Sequence, residues 1–348
     1  MTGYPAHRLA FGQAWRRREA KKRWKNFLAA FIVIVLLFAT ANGIIRTFSL
    51  RRYFGESQWD SQSSFISTLN TSPPSVLVFQ KDPKRLAVFK LSENAYFATG
   101  NPEETLTRFS DILELGDGNE AARVLSLALG AKVESFLFFK GKVNVERASV
   151  ENLFKNFASP VTPIKIFNKN NFSNLQSSNI TQVDMFKLWW QLKSLSIEKL
   201  EIIDFGDFVE NIVLSNNQKV LGVDDAALHL KISAYLESKK LLEEGSGVEI
   251  QNASGVAQSG NLAAEFASVV GFNVVAVGSV GDFQQETKIF SKNQKSYQAR
   301  YLANIFDCDI VGPRRSPQVN GEASGSGEVN DEKILVVIGR DFALRYFQ

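Results

Sequence analysis

Residues 247–271, GVEIQNASGVAQSGNLAAEFASVVG, join the periodicity of a β-strand to that of an α-helix across one Gly- and Ser-rich turn. Val248 and Ile250 alternate with polar neighbours, as a half-buried strand requires. Gly271 stands where the C-terminal cap of a helix is expected. The apolar residues between the turn and this glycine recur at helical spacing and predict one buried helix face, formed by Leu262, Ala263, Phe266, Val269 and Val270. The stretch therefore predicts the first strand and first helix of an α/β domain.

Further segments of the chain follow at 271–277, 286–290, 299–303 and 333–342, the last with the sequence KILVVIGRDF. The order strand, helix, strand, strand, helix, strand describes a compact α/β unit with a right-handed crossover in its first half. Residues 313–331 are rich in Gly, Ser and charge, and they predict a long flexible loop.

This C-terminal segment resembles the LytR C-terminal domain, whose opening motif reads V-x-V-x-N-G-T/S-G-x-x-G-L-A. The matching positions are Ile250, Asn252, Ser254, Gly255, Gly260, Leu262 and Ala263. Ala253 replaces the first glycine of the motif, and one residue is inserted. The resemblance continues in register and implies a second strand at 271–277, a third strand at 286–290, a second helix that includes 299–303 and a terminal strand in 333–342. It covers the predicted domain at 246–348 and implies a cell-envelope protein.

The turn of this segment is a candidate ligand-binding loop, formed by Asn252, Ser254, Gly255 and Gly260. It leads into a helix N-terminus, where free backbone amides attract anions. In the alternative interpretation, the two glycines only permit tight turns and close packing, and Asn252 bonds to local backbone. The Gly-Arg-Asp sequence at 339–341 is expected at the same edge of the domain.

Residues 75–240 also alternate predicted strands with predicted helices and indicate a preceding α/β or α+β domain. The sequences VLVF at 76–79 and RLAVFKL at 85–91 predict the two partly buried strands of a hairpin. A helix is predicted over 119–129, before Gly130. Further strands are predicted at 133–139 and 200–205, and further helices at 150–157, 185–195 and 226–236.

Two stretches of this domain, VLVFQKDPKRLAVFKLSENAYF and AARVLSLALGAKVESFLFFKGK, resemble the LytR–CpsA–Psr (LCP) family. Members of that family transfer glycopolymers from pyrophosphate-linked lipid carriers to the cell wall. Arginines hold the pyrophosphate in the family, because a guanidinium makes two charge-assisted bonds to phosphate oxygens. The resemblance therefore implies an arginine after the second strand of the hairpin.

This sequence departs from the family at that position, since Glu93 stands where the family has arginine. The later Arg-x-Arg pair has no counterpart between 150 and 225, and the aspartate-bearing strand expected before the hairpin is missing. The resemblance thus implies a degenerate LCP-like domain without catalytic residues. The alternative is a divergent glycopolymer phosphotransferase that uses other cations, such as Lys84, Arg85 and Arg123.

Residues 27–45, FLAAFIVIVLLFATANGII, contain no charged residue. A helix of this length spans about 28 Å, close to the hydrocarbon thickness of a bilayer. A buried core helix is one alternative. A cleaved signal peptide is another, for which Ala39, Thr40 and Ala41 form only a weak cleavage site. The sequence favours an uncleaved signal anchor with a single transmembrane helix.

The flanks of this helix predict its orientation. Residues 1–26 form a basic tail that holds a single acid, Glu19, and positive charge prefers the cytoplasmic side. The N-terminus is therefore expected in the cytoplasm and the two domains outside the cell membrane. Residues 46–74 are polar, end in a pair of prolines and predict a stalk or linker. The lipid bilayer is the first predicted partner.

Composition excludes several classes of function. The net charge of +4 arises largely from the basic tail, so it gives no support for nucleic-acid binding. Cys308 is the only cysteine and His7 and His229 are the only histidines, which excludes intrachain disulfides and multi-thiolate or multi-histidine metal sites. His229 lies in a helical pattern and is interpreted as structural. No catalytic residue, metal site or cofactor is predicted.

Together these features predict a bacterial, membrane-anchored cell-envelope protein with a two-domain exported region. The expected role is non-catalytic binding or scaffolding in cell-wall maintenance, with a cell-wall polymer or other envelope proteins as partners. The phosphotransferase remains the alternative.

Overall fold

The computed structural model describes residues 57, 59–100, 106–141, 143–167, 175–213, 217–312 and 333–347. The predicted basic tail, the predicted transmembrane helix at 27–45, the first part of the linker and the predicted flexible loop at 313–331 lie outside the described residues. Across the described part of the chain, no helix is long and apolar enough to cross a bilayer. Residues 57–348 cluster as one compact unit.

The elements alternate along the chain, as an α/β or α+β class predicts. The strands are β1 Phe65–Leu69, β2 Ser75–Gln80, β3 Arg85–Lys90, β4 Tyr96–Ala98, β5 Leu106–Arg108, β6 Ser135–Phe139, β7 Leu175–Ser178, β8 Leu200–Asp204, β9 Val209–Val213, β10 Lys219–Val223, β11 Gly247–Asn252, β12 Asn273–Ser279, β13 Lys288–Phe290, β14 Asp309–Val311 and β15 Ile334–Ile338. The helices are α1 Phe109–Glu114, α2 Gly118–Leu129, α3 Arg147–Phe157, α4 Thr162–Phe167, α5 Gln182–Leu192, α6 Asp225–Leu236, α7 Lys239–Glu244, α8 Ser259–Val269, α9 Tyr297–Phe306 and α10 Arg340–Tyr346. The mixed α/β class is confirmed.

The first sheet has the strand order β7-β6-β1-β2-β3-β8. The predicted hairpin is present, since β2 and β3 pair antiparallel from Ser75 opposite Lys90 to Gln80 opposite Arg85. The hairpin β9–β10 and the pair β4–β5 form two small separate sheets. The predicted helices at 119–129 and 226–236 correspond to α2 and α6 within one residue at their N-terminal ends.

Strand β1 lies in the middle of this sheet, although the sequence predicted a linker over 46–74. It pairs antiparallel with β2 and parallel with β6. All five of its residues are buried. The pattern FISTL places two hydroxyl residues between apolar ones, so it lacks the simple alternation that would have predicted a strand. A strand therefore does precede the hairpin, but the acid that the family resemblance implies is absent from it.

Both faces of the first sheet are apolar. Val76, Val78 and Phe89 point to one side, which we call the core face, because successive side chains of a strand alternate between faces. Leu77 and Val88 point to the other side, which we call the cavity face. Helices α2 and α6 cover the core face, and helices α3 and α5 pack on the cavity face. Two-sided burial explains the near-continuous apolar runs in β2 and β6.

The second sheet has the order β12-β11-β15-β13-β14 and holds the C-terminal segment. Strand β11 pairs parallel with both β12 and β15, and α8 connects β11 to β12 as the sequence predicted. The predicted terminal strand at 333–342 is shorter than expected. It ends at Ile338, and Arg340 begins α10 instead. Strand β14 was not predicted.

One apolar core connects the two sheets. A single cluster of buried side chains extends from Ile66 on β1 to Tyr346 on α10. Phe342 on α10 is fully buried, and its ring centroid lies 5.9 Å from that of Phe266 and 5.6 Å from that of Phe306. The helices of the C-terminal segment therefore pack on the same core as the first sheet.

We expect Phe342→Ala to destabilise the whole unit and not only the C-terminal segment. Truncation of a fully buried Phe removes about 3–5 kcal/mol of unfolding free energy. The described tryptophans Trp59, Trp189 and Trp190 all lie before β11, in the part of the unit that we call the first segment. Once Trp15 and Trp24 are replaced by Phe, tryptophan fluorescence during urea unfolding reports on that segment. The tryptophan transition should move to lower urea in the variant.

The matched control is Leu344→Ala, because Leu344 lies on the same helix and is 42% exposed. Its effect should stay within about 0.5 kcal/mol. A tryptophan transition that is unchanged by Phe342→Ala would show that the two segments unfold independently.

Candidate functional site

The predicted ligand-binding loop runs from the end of β11 to the first turn of α8, and its polar atoms bond within the loop. The Asn252 side-chain oxygen accepts hydrogen bonds from the Ser254 amide at 3.1 Å and from Ser254 Oγ at 2.7 Å. The Asn252 side-chain nitrogen donates to the Val256 carbonyl at 2.8 Å. Ser254 is buried. Asn252 therefore folds this loop by an Asx-type turn.

The two glycines of the loop have steric roles. Gly255 has φ of +74°, a left-handed conformation that favours glycine. A Cβ on Gly260 would lie 3.1 Å from Cβ of Asn252, so a larger residue would crowd the turn. These contacts support the structural alternative for all four predicted residues. Anion binding at this loop stays a prediction.

The Gly-Arg-Asp sequence at 339–341 also lies near this edge. The Asp341 carboxylate accepts hydrogen bonds from the backbone amide of Thr287 at 2.9 Å and from its hydroxyl at 2.7 Å. The Arg340 amide donates to the Gln284 carbonyl, and the Gln284 amide donates to the Ala253 carbonyl, each at 2.9 Å. The segment therefore ties α10 and the loop to the strand ends.

The three cations considered for a phosphotransferase do not converge on one site. Arg85 donates to the Gln80 side-chain oxygen at 2.5 Å and to the Ala234 carbonyl, and its guanidinium lies 4.1 Å from the ring centroid of Tyr235. Lys84 donates to Ser194 Oγ at 2.8 Å. Arg85 therefore fixes α6 against the first sheet.

Arg123 on α2 connects the two segments. Its Nε donates to the Glu120 carboxylate at 2.7 Å, and a second nitrogen of the guanidinium bonds to the same carboxylate. A third nitrogen donates to the carbonyl of Thr99 and, at 2.9 Å, to that of Tyr346. Its hydrogen bonds are directed to protein groups, which indicates a structural role.

An apolar cavity of about 520 Å³ opens on the cavity face of the first sheet. Strands β2, β3 and β6 form its floor, and helices α3, α4 and α5 form its walls. Aliphatic and aromatic side chains dominate the lining and include Leu77, Leu137, Val150, Phe154, Phe157 and Leu188. Within the described lining, the only charged side chain belongs to Lys165. We call this space the apolar cavity.

Two carboxylates lie near one end of the apolar cavity. Asn144 lines that end and donates to the Glu146 carboxylate at 2.8 Å. Ser72, which bridges to Asn144, donates to the Glu93 carboxylate at 3.2 Å. Negative charge here disfavours a phosphate group. Glu93 is thus an exposed carboxylate, bonded to the neighbour of a lining residue, at the position where the family resemblance implied an arginine.

The single cysteine and the described His, Asp and Glu side chains are the groups to consider for thiol chemistry and metal binding. Burial raises the pKa of the Cys308 thiol to about 12, and nearby aspartates add to this rise, so the thiolate is not formed at neutral pH. Over the same part of the chain, no group of three or more His, Cys, Asp or Glu side chains is placed to bind a metal ion. His229 packs against Gly130, with Nε2 3.2 Å from the Ala128 carbonyl, as a structural histidine does.

Comparison with known families identifies the second sheet and its helices. Residues 246–342 match the family model LytR_C, described as LytR cell envelope-related transcriptional attenuator. These residues form a LytR C-terminal domain. The match confirms the predicted domain and its association with the cell envelope. No curated protein sequence matches the chain.

Several solved structures are similar to about half of the chain. The LytR-CPS2A-psr family protein YwtF (TagT) of Bacillus subtilis, with bound octaprenyl pyrophosphate lipid, is 11% identical and has a TM-score of 0.35, covering 51% of this chain and 92% of that one. TagV of B. subtilis is 10% identical with a TM-score of 0.37, over 49% of this chain and 94% of that one. The transcriptional regulator EF0465 of Enterococcus faecalis is 8% identical with a TM-score of 0.38, over 51% of this chain and 87% of that one. Similarities at this level do not establish a shared fold.

We expect Asn252→Ala to destabilise the C-terminal segment, because it removes three hydrogen bonds from a loop with a buried serine. Loss of partners for buried polar groups removes about 1–3 kcal/mol of unfolding free energy. Chemical unfolding followed by circular dichroism measures this change. The control is Asn261→Ala, at an exposed position of α8, which should change stability by about 0.5 kcal/mol or less. Equal effects of the two variants would contradict the structural role of Asn252.

Proposed function

We propose that the chain is a membrane-anchored cell-envelope protein that binds an apolar ligand and has no catalytic chemistry of its own. The LytR C-terminal domain supports the envelope assignment. The observation that carries the ligand proposal is the apolar cavity, whose described lining holds one charged side chain. The predicted anchor at 27–45 completes the proposal.

The size and chemistry of the apolar cavity suit a hydrocarbon chain. A volume of about 520 Å³ lies in the range of small-molecule sites. Each buried CH₂ group contributes about 0.8 kcal/mol, so an isoprenoid segment gains several kcal/mol from contact with this lining. The structure of TagT holds octaprenyl pyrophosphate lipid, a ligand with such a chain. The present proposal depends on the lining alone.

Exposed apolar side chains lie on two of the helices that wall the apolar cavity and support a ligand that arrives from a lipid phase. Ile164 and Phe167 on α4 are 67% and 43% exposed, and Trp190 on α5 is 54% exposed. Helix α4 also contributes Thr162 and Lys165 to the lining. Apolar side chains that face solvent together are typical of lipid or ligand contacts.

The electrostatics of the site favour binding over phosphoryl transfer. A pyrophosphate needs several cations, and each charge-assisted hydrogen bond contributes about 1.5–3 kcal/mol. Arg85 and Arg123 are bonded to protein groups and do not line the apolar cavity. Glu93 and Glu146 add negative charge near its end. No observation favours the phosphotransferase alternative.

We expect the full-length chain to bind an uncharged polyprenol and the matching polyprenyl pyrophosphate with affinities that agree within about tenfold. The reason is that the apolar chain, and not the headgroup, makes the favourable contacts. Displacement of a fluorescent fatty acid measures both affinities. Leu77→Trp fills the apolar cavity and should weaken both by at least about tenfold.

The matched control is Leu344→Trp, an exposed position outside the cavity, which should bind as the wild type does. The phosphotransferase would be established instead by two results together. The chain would bind the pyrophosphate tightly and the polyprenol not at all, and it would show magnesium-dependent turnover that Arg85→Lys abolishes. If neither lipid binds, the proposed ligand class is wrong.

The proposed location has its own test. Protease added to intact cells should digest residues 57–348, because the basic tail is expected in the cytoplasm and the domains outside. An epitope at the N-terminus should stay protected until the cells are lysed. Protection of both ends, or recovery of the full-length chain in the soluble fraction after membranes are pelleted, would contradict the anchor.

A further inference from the structure

A second cavity lies between the two segments and has the opposite chemistry. Its volume is about 530 Å³, and its lining includes Asn119 and Arg123 of α2, Glu134 just before β6, Asn304 of α9 and Arg345 of α10. Lys132 and Asp307 also line it. We call this space the polar cavity. It shares no lining residue with the apolar cavity.

The polar cavity is lined by three cations, Arg123, Lys132 and Arg345, and by two acids, Asp307 and Glu134. Lys132 Nζ lies 2.5 Å and an Arg345 nitrogen 2.7 Å from the carboxylate of Asp307, so two cations share one acid. Arg123 is balanced by Glu120. Lys132 also faces the Glu134 carboxyl, so one cation is in excess while that carboxyl is neutral, and this excess favours an anionic ligand group.

The polar cavity also presents hydrogen-bonding groups that the described protein does not use. Among the described residues, the side-chain amides of Asn119 and Asn304 have no protein partner, and both line the cavity. The Glu134 Oε2 atom is buried without a hydrogen-bond partner. Amide side chains both donate and accept, as neighbouring hydroxyl groups of a sugar require.

The Glu134 carboxyl has a raised pKa, so the neutral form predominates at neutral pH. Burial raises the pKa of its carboxyl to about 8, Lys132 opposes the rise, and Asp60, Asp184 and Asp307 add to it. Below pH 8 the neutral carboxyl can donate a hydrogen bond, whereas above pH 8 the carboxylate repels an anion. The acid therefore does not cancel the positive charge of the polar cavity under ordinary conditions.

We propose that the polar cavity binds a small anionic sugar, either a sugar acid or a sugar phosphate. The anionic group would lie beside Lys132 and Arg345, and the sugar hydroxyls would bond to the amides of Asn119 and Asn304. Both segments contribute to the lining, so the site exists only when they fold as one unit. The proposal does not depend on the ligand of the apolar cavity.

Calorimetric titration of the full-length chain tests this proposal with glucuronate, glucose 6-phosphate, glucose and inorganic phosphate. At least one of the two anionic sugars should bind, at least about tenfold more tightly than glucose and than inorganic phosphate. Binding of one anionic sugar only would identify the anionic group. The proposal is wrong if neither binds, if glucose binds equally well, or if inorganic phosphate alone accounts for the affinity.

Variants locate the binding in the polar cavity. Asn119→Ala and Asn304→Ala remove amides without a protein partner, so the fold should be retained while the affinity falls at least about tenfold. Asn211→Ala, at an exposed position of β9, is the matched control and should bind normally. Equal affinities in all three variants would contradict the assigned site.

The pH dependence gives an independent readout. Glucuronate stays ionised above neutral pH, so its affinity should fall about tenfold between pH 7 and pH 9 as the Glu134 carboxyl ionises. Glu134→Gln keeps a neutral hydrogen-bonding side chain and should show a flat profile over the same range. A profile that is the same in both proteins would exclude Glu134 from the site.

Discussion

The structure depends on a single apolar core that joins two sheets of different topology. Its buried side chains begin on β1 and end on α10, so the C-terminal domain and the first segment share one core. Arg123 reinforces this joint, because its guanidinium bonds to the carbonyls of Thr99 and Tyr346 across the boundary. The boundary between the two segments reaches the protein surface, where polar side chains stay hydrated. The polar cavity lies at this boundary. Because one core joins the two segments, the polar cavity between them is formed only when both are folded.

The same packing explains why cations are scarce around the apolar cavity. Arg85 and Arg123 are held by carbonyl and carboxylate groups that position α6 and α10, and these contacts use the nitrogens that phosphate recognition needs. A charge inside the apolar cavity would lose hydration without a partner, which is unfavourable by several kcal/mol. The lining is therefore suited to hydrocarbon and unsuited to a pyrophosphate headgroup. This placement of charge supports the proposed binding role over the phosphotransferase alternative.

The sequence predicted the elements whose periodicity is simple and missed those formed by long-range contacts. Strand β11 and helix α8 were predicted because their apolar positions recur with the periods of a strand and a helix. Strand β1 was missed because Ser67 and Thr68 are buried within it, and α10 was missed because a short helix follows β15 directly. Both cavities were missed for another reason. Leu77, Phe157 and Leu188 are distant in sequence, and no local pattern reports that they face one space. The candidate loop was located correctly in the fold, but sequence alone left its structural and ligand-binding interpretations open.

The size of the apolar cavity makes a purely structural interpretation difficult. The cavity opens to solvent, and its lining exposes aliphatic and aromatic side chains to water, which is unfavourable. An apolar ligand removes this disadvantage, because it fills the volume and covers the lining. This balance supports the ligand proposed for the apolar cavity.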